Sequence, residues 1–156
     1  MIVPEAMLQR IADATARAHG GDPEAALDDL LAIWEELGAA GDPLHRCAAA
    51  HAIADLQDDV ADELRWDLRA LDAYGLITDD RAAEAGVAGP VYGFEASLHL
   101  NVADAYRRLG EPWDARDHLE LGWAAVDALG DDSYGRMIRA GLDRLRSRLD
   151  AEEGSG

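Results

Sequence analysis

Lysine is absent from this chain of 156 residues: all 14 of its lysine or arginine positions are arginine. Together with abundant Ala and Gly, that points to a GC-rich bacterial genome and carries no chemistry of its own. A single cysteine, Cys47, excludes an internal disulfide. It falls in a helical apolar pattern and reads as a small buried hydrophobe rather than a nucleophile. Aromatic residues make up only 6% of the chain, and β-branched residues are thinly spread. Ala and Leu dominate the apolar half, and both are strong helix formers, so packed helices are expected rather than sheets. Nothing approaches the ~18 consecutive apolar residues of a membrane span. The opening MIVPEAMLQR has no charged leader, so the cytoplasm is the expected compartment. No nucleophile elbow, phosphate-cradling loop or dinucleotide fingerprint is present. Gly86-Val87-Ala88-Gly89 precedes Pro90 and opens no phosphate-binding helix. No catalytic constellation can be assembled, and no enzyme activity or cofactor is expected.

What is plentiful is negative charge. The formal net charge is −18. Residues 1–130 carry −17 of it, and residues 131–156, with five arginines against six acids, carry −1. Such a chain repels nucleic-acid phosphates and anionic lipid, which excludes nucleic-acid and membrane-surface partners. A protein or peptide partner with a basic segment is expected instead, bound more weakly as salt rises. The length suits one domain, residues 1–150, able to bury a core without metal or disulfide, followed by a disordered tail over 151–156.

Apolar periodicity predicts seven helices. The first runs from about Pro4 to Ala18 on Met7, Leu8 and Ile11, and Gly20-Gly21 stops it. The second opens at Asp22-Pro23-Glu24, with Asp22 as N-cap and Pro23 at N1, and carries Leu27, Leu30, Leu31, Trp34 and Leu37 up to Gly38. A third runs from Pro43 to near Asp58. A fourth covers Val60 to Tyr74, with Val60, Leu64, Leu68 and Leu71 in one narrow arc. Residues 77–90 form the longest connection, with room for one short helical turn, and a loop of that length is often functional or mobile. Helices then cover about Tyr92–Leu109 and Pro112–Leu129. A last one follows Asp132 or Ser133 as cap, on Ile138, Leu142, Leu145 and Leu149, flanked by Arg136, Arg139, Arg144, Arg146 and Arg148. The four tryptophans, Trp34, Trp66, Trp113 and Trp123, read as packing residues. For Trp66, which lies off its helix's leucine arc, an exposed anchor is the alternative.

A short repeat joins the two ends of the chain. Gly21-Asp22-Pro23 is followed three residues on by Ala26, and Gly110-Glu111-Pro112 by Ala115. Gly ends one helix, Pro starts the next, and a small Ala lets the pair approach closely. Around the second copy, His99, Val102, Ala103, Tyr106, Ala115, Leu119 and Asp127 fall on the spacing of W-x2-L-G-x2-Y…A-x3-F…P. Tyr106 and Ala115 match outright, Val102, Ala103 and Leu119 conservatively, while His99 and Asp127 depart. This stretch resembles a tetratricopeptide repeat (TPR). The resemblance extends more loosely over residues 4–150, as three antiparallel pairs stacked in a short TPR-like solenoid with a closing helix. It implies an all-α helical repeat used as an adaptor or scaffold, holding a protein or peptide in a concave groove lined by the first helix of each pair.

Polar residues on those helices are the candidate groove. His51 and Asp55 stand i, i+4 in an apolar pattern of Leu44, Cys47 and Ala48, where a buried polar pair must be satisfied or wet. Glu95 and His99 repeat the spacing, with Tyr92 and Tyr106 on the same side, while Asn101, also a groove candidate, projects elsewhere with Asp104. If the two pairs converged, two imidazoles and two carboxylates would suit Zn²⁺ or another borderline divalent metal, or a small ligand. The spacing is generic, however, and no metal is assigned. Glu63 and Asp67 read as a solvated or ion-paired helix edge, and His45 and His118 as surface residues. The arginine-flanked last helix, beside an otherwise acidic chain, offers a route to a homodimer.

Overall fold

The computed structural model describes residues 6–84 and 88–154, with side chains in the second stretch from residue 94 onward. The chain is all-α. Among the described residues there are eight α-helices and no strand: α1 (Ala6–His19), α2 (Pro23–Leu37), α3 (Pro43–Ala54), α4 (Val60–Tyr74), α5 (Asp79–Glu84), α6 (Ala88–Arg108), α7 (Pro112–Ala124) and α8 (Ser133–Gly154). They gather into two compact units, residues 1–88 and 89–156, where the sequence suggests one domain. None of the described helices is long and apolar enough to cross a membrane.

In the first unit α1 pairs with α2, and α3 packs on α1, α2 and α4. That position explains its composition. Leu44, Cys47, Ala49, Ala50, Ala52, Ile53 and Ala54 are all buried, so α3 is enclosed on most sides and its alanines let three neighbours approach. Ile11, Ala14, Leu30, Ile33, Ala49 and Ile53 form the core. Helix α3 stops at Ala54, four residues short of the expected end. The Leu56 and Gln57 amides bond the carbonyls of Ile53 and Ala54, tightening the chain, while Asp59 caps α4 by accepting from the Asp62 amide at 3.1 Å. On α4 the buried positions are Asp67, Ala70 and Ala73, and the leucine arc is only half-buried. Small alanines bring α4 close to its neighbour, and the leucines fill the flanks. Asp67, expected at a solvated edge, is 2% exposed.

The long connection contains α5. Its Arg81 donates through Nε to Asp42 Oδ2 at 2.6 Å and lies 3.3 Å from His45 Nε2. Asp42 also caps α3, accepting from the Leu44 amide at 2.9 Å. One carboxylate therefore starts α3 and holds α5.

In the second unit α6 begins at Ala88, ahead of the expected Tyr92, with Pro90 tolerated in the first turn. The core joins Ala96 and Ala103 of α6, Ala115 and Leu119 of α7, and the spine Ile138, Leu142, Leu145 and Leu149 of α8. Gly122 is where the three helices meet: a Cβ there would sit 2.9 Å from Leu142 Cδ2, with Ala96 O and His99 Cβ at 3.6 Å. Helix α7 ends at Ala124 and is followed by a 3-10 turn, Val126–Ala128. Asp132 caps α8, accepting from the Gly135 amide at 2.8 Å. Arg139 bonds the carbonyls of Val126, Leu129 and Gly130 and so fixes the incoming turn. Residues 151–154 continue α8, and 155–156, like the expected start at Pro4, lie outside the described residues.

Candidate functional site

The second unit holds a cluster of three rings. His99, on the inner side of α6, and His118, on α7, approach with Nδ1 to Nδ1 at 3.0 Å. Tyr106, two turns beyond His99, stacks on the His118 ring with centroids 5.7 Å apart. His99 is 7% exposed and His118 half-buried. Reading His118 as a surface residue is thus corrected: it lies three residues after the buried Ala115 and one before the buried Leu119, on the shoulder of α7 that faces α6.

Burial sets the protonation of this pair. Desolvation, with the neighbouring His118 charge second, lowers the His99 pKa from 6.5 to about 4. Burial lowers that of His118 as well, opposed by Asp114 and Asp117. Both imidazoles are therefore held toward the neutral form. One Nδ1–H donates to the other ring's Nδ1 lone pair, so these nitrogens satisfy each other instead of offering themselves to a ligand. Among the described residues no three His, Cys, Asp or Glu side chains gather as a metal centre requires.

The other sequence candidates are distributed as follows. His51, in the last turn of α3, stands 3.9 Å from Asp55 through Nε2 and Oδ2, a charge pair only when the imidazole is protonated. Asp55 is the C-cap and largely exposed, so the two flank the helix end instead of sharing an apolar stripe. Glu95 is half-buried on α6. Asn101 lines an open groove between α6 and α8. The side chain of Tyr92 lies outside the described residues. Cys47 is 1% exposed, and burial pushes its thiol up to about 12, the property of an inert core residue.

The tryptophans separate into two groups. Trp34 and Trp66 meet edge to face at 5.1 Å, Arg46 lies 4.2 Å over the first and Arg69 4.3 Å over the second. This ladder of two rings between two guanidiniums accounts for Trp66 as a packing residue. Trp123 packs on the core of the second unit. Trp113 does not pack: it is 83% exposed on α7. Leu121, two turns further along the same face, is 49% exposed, and Asp117 and Glu120 stand between them in solvent. Sequence reasoning missed this face because Trp113 occupies the second position of the helix, where the apolar period is not yet established.

No protein-family model matches the chain, and no curated protein or solved structure matches it.

Proposed function

We propose that this protein is a TPR-like scaffold without catalytic activity, working in the cytoplasm and holding a protein partner that presents a basic segment. The observation that carries the reading is Trp113, 83% exposed. A large aromatic ring left in solvent is costly, and such residues act as anchors at protein interfaces. Trp113 and Leu121 lie about 12 Å apart along α7, with Asp114, Asp117 and Glu120 around them. A partner helix or strand with two apolar side chains among Lys or Arg would meet both chemistries.

The repeat character has its own support. The two Gly-x-Pro turns share one hydrogen-bond pattern, and Ala26 and Ala115 are both fully buried after them. Val102, Ala103 and Leu119, which carry the resemblance, are buried too. The contact surface in this reading moves from the concave groove to the outer face of α7, because His99 and Tyr106 are occupied by His118. Within the same unit, Glu95 and Asn101 remain candidates for contact with a partner, and Asp55, in the first unit, is a separate candidate.

Affinity capture from extract of the native cell, at low and high salt, tests the proposal. The wild-type protein should retain a partner that is lost with Trp113→Ala and weakened by salt. A partner held equally by Trp113→Ala, or unaffected by salt, would rule out this surface. Self-association through α8 is favoured by Tyr134 and Met137, 37% and 56% exposed. Sedimentation that shows a concentration-independent monomer would remove it.

A further inference from the structure

Arginines are outnumbered more than two to one by carboxylates in this chain, and their guanidiniums are almost all engaged. Arg10 pairs with Glu36 at 3.0 Å, Arg81 with Asp42, and Arg116 with both Asp150 and Glu153. Others lie over tryptophan rings or bond backbone carbonyls. Among the described residues, Arg144 and Arg148 alone have no such partner. They stand i, i+4 on α8, so they lie on one face of that helix.

That face borders the groove between α6 and α8, a space of about 300 Å³. Its apolar lining is Leu100 and Leu145, and Gly141 brings the α8 backbone in so closely that a Cβ there would lie 2.8 Å from Leu100 Cδ2. Asn101, Arg144 and Arg148 supply the donors. The one carboxylate in the groove, Asp104, is already taken. Its Oδ1 accepts from Arg107 Nε and Nη2 at 3.1 and 3.0 Å, and its Oδ2 from Arg108 Nε at 3.0 Å. It does not neutralise the two arginines across from it. On a chain of net charge −18, this is a local positive site with an apolar floor.

We infer that the α6–α8 groove binds a small molecule bearing an oxyanion, a carboxylate or a phosphate, between the guanidiniums of Arg144 and Arg148, with the Asn101 amide donating to it and the ligand's apolar part against Leu100 and Leu145. Guanidinium is suited to this by its planar fork of donors, which matches two oxygens of either group. The acidic surroundings oppose long-range capture of an anion, which is why the apolar floor matters: it adds burial to the charge contact. The volume is at the small end for organic-ligand sites. The inference rests on the second unit alone and does not depend on the partner reading of α7.

The test follows the arginine Nε–Hε signals of the ¹⁵N-labelled full chain in an oxyanion-free buffer of constant ionic strength. Inorganic phosphate is titrated in one series and sodium benzoate in another. Saturable shifts at Arg144 and Arg148, with Arg10 and Arg136 unmoved, support the site. Saturation by phosphate alone assigns a phosphate ligand, and by benzoate alone an apolar carboxylate. Arg144→Gln and Arg148→Gln should each weaken the saturating probe about tenfold. Both side chains are exposed, and an unchanged far-ultraviolet spectrum checks the fold. The wild-type titration decides the question even if a variant folds poorly. Shifts that fail to saturate, or that spread equally over all exposed arginines, overturn the inference.

Discussion

Gly21 and Gly110 occupy the same place in the two units. Their φ angles are 101° and 78°. The residue after each, Asp22 or Glu111, donates its amide to a carbonyl five residues back, Arg17 or Tyr106, at 3.2 and 2.9 Å. Pro23 and Pro112 then start helices, and the Ala26 and Ala115 amides close the first turns on Asp22 and Glu111, both at 3.1 Å. Beyond the turn the units diverge. The first wraps α3 in neighbours and fills it with alanine, with paired tryptophans outside. The second hangs on the leucine spine of α8 and pairs a buried histidine, His99, with the half-buried His118. One local device therefore serves two different cores: the turn fixes how a helix pair folds back, and the side chains beyond it decide what that pair encloses.

The largest test of that comparison is in the cores. Leu30 and Leu142 are both 0% exposed. Replacing either by Ala should cost roughly 3 kcal/mol, from lost burial and the cavity left behind. Urea denaturation of each variant measures it. A loss under about 1 kcal/mol at either position would mean that its core is not packed as described.

The second test separates the units by pH. In the folded chain the His99 pKa lies at about 4, below its ordinary 6.5. The fold therefore favours neutral His99. The stability it contributes is fully present above pH 6.5 and is lost as pH falls from 6.5 through 4. His99→Phe should remove this part of the acid loss. Parallel stability curves for wild type and variant between pH 7 and pH 4 would contradict the assignment.

Smaller effects test the shared turn. Gly21→Ala and Gly110→Ala place a Cβ on backbone of positive φ and should each cost about 1 kcal/mol, equally if the turns are equivalent. The caps should then tell the turns apart. Asp22 Oδ1 accepts from the Ala25 amide at 3.3 Å, whereas Glu111 makes no side-chain cap bond. Asp22→Ala should cost about 1 kcal/mol and Glu111→Ala only a few tenths. Thermal melts of the four variants would show both the equality and the asymmetry.

Much of the fold was legible because helix starts and stops are local. Asp-Pro and Gly-Gly, and the leucine spine of α8, are read from neighbours in sequence. Two details of the helices differ from what periodicity predicts. Helix α3 ends before Asp58 because the chain tightens at Leu56 and Gln57 and Asp59 then caps the next helix. The buried face of α4 runs through Asp67, Ala70 and Ala73 and not through the leucine arc, and a carboxylate at its centre breaks the apolar pattern that periodicity relies on. Of the candidate site, His99 and Tyr106 were legible from their spacing on α6. Their actual neighbour, His118, was not, since no pattern on α7 announces which shoulder will face α6. The exposure of Trp113 was illegible for a related reason: hydrophobicity says a side chain prefers burial, not whether a surface exists to bury it.

The sequence by itself determined the helical class, the position of the two Gly-x-Pro turns, the buried thiol of Cys47 and the acidic character, because propensity, capping and charge act over a few residues or are additive. The tertiary structure alone decided which imidazoles meet, which tryptophan stays in solvent and which arginines are left without a carboxylate. Those outcomes depend on how whole helices rotate against one another, and that rotation is set by the summed packing of many side chains and not by any one of them.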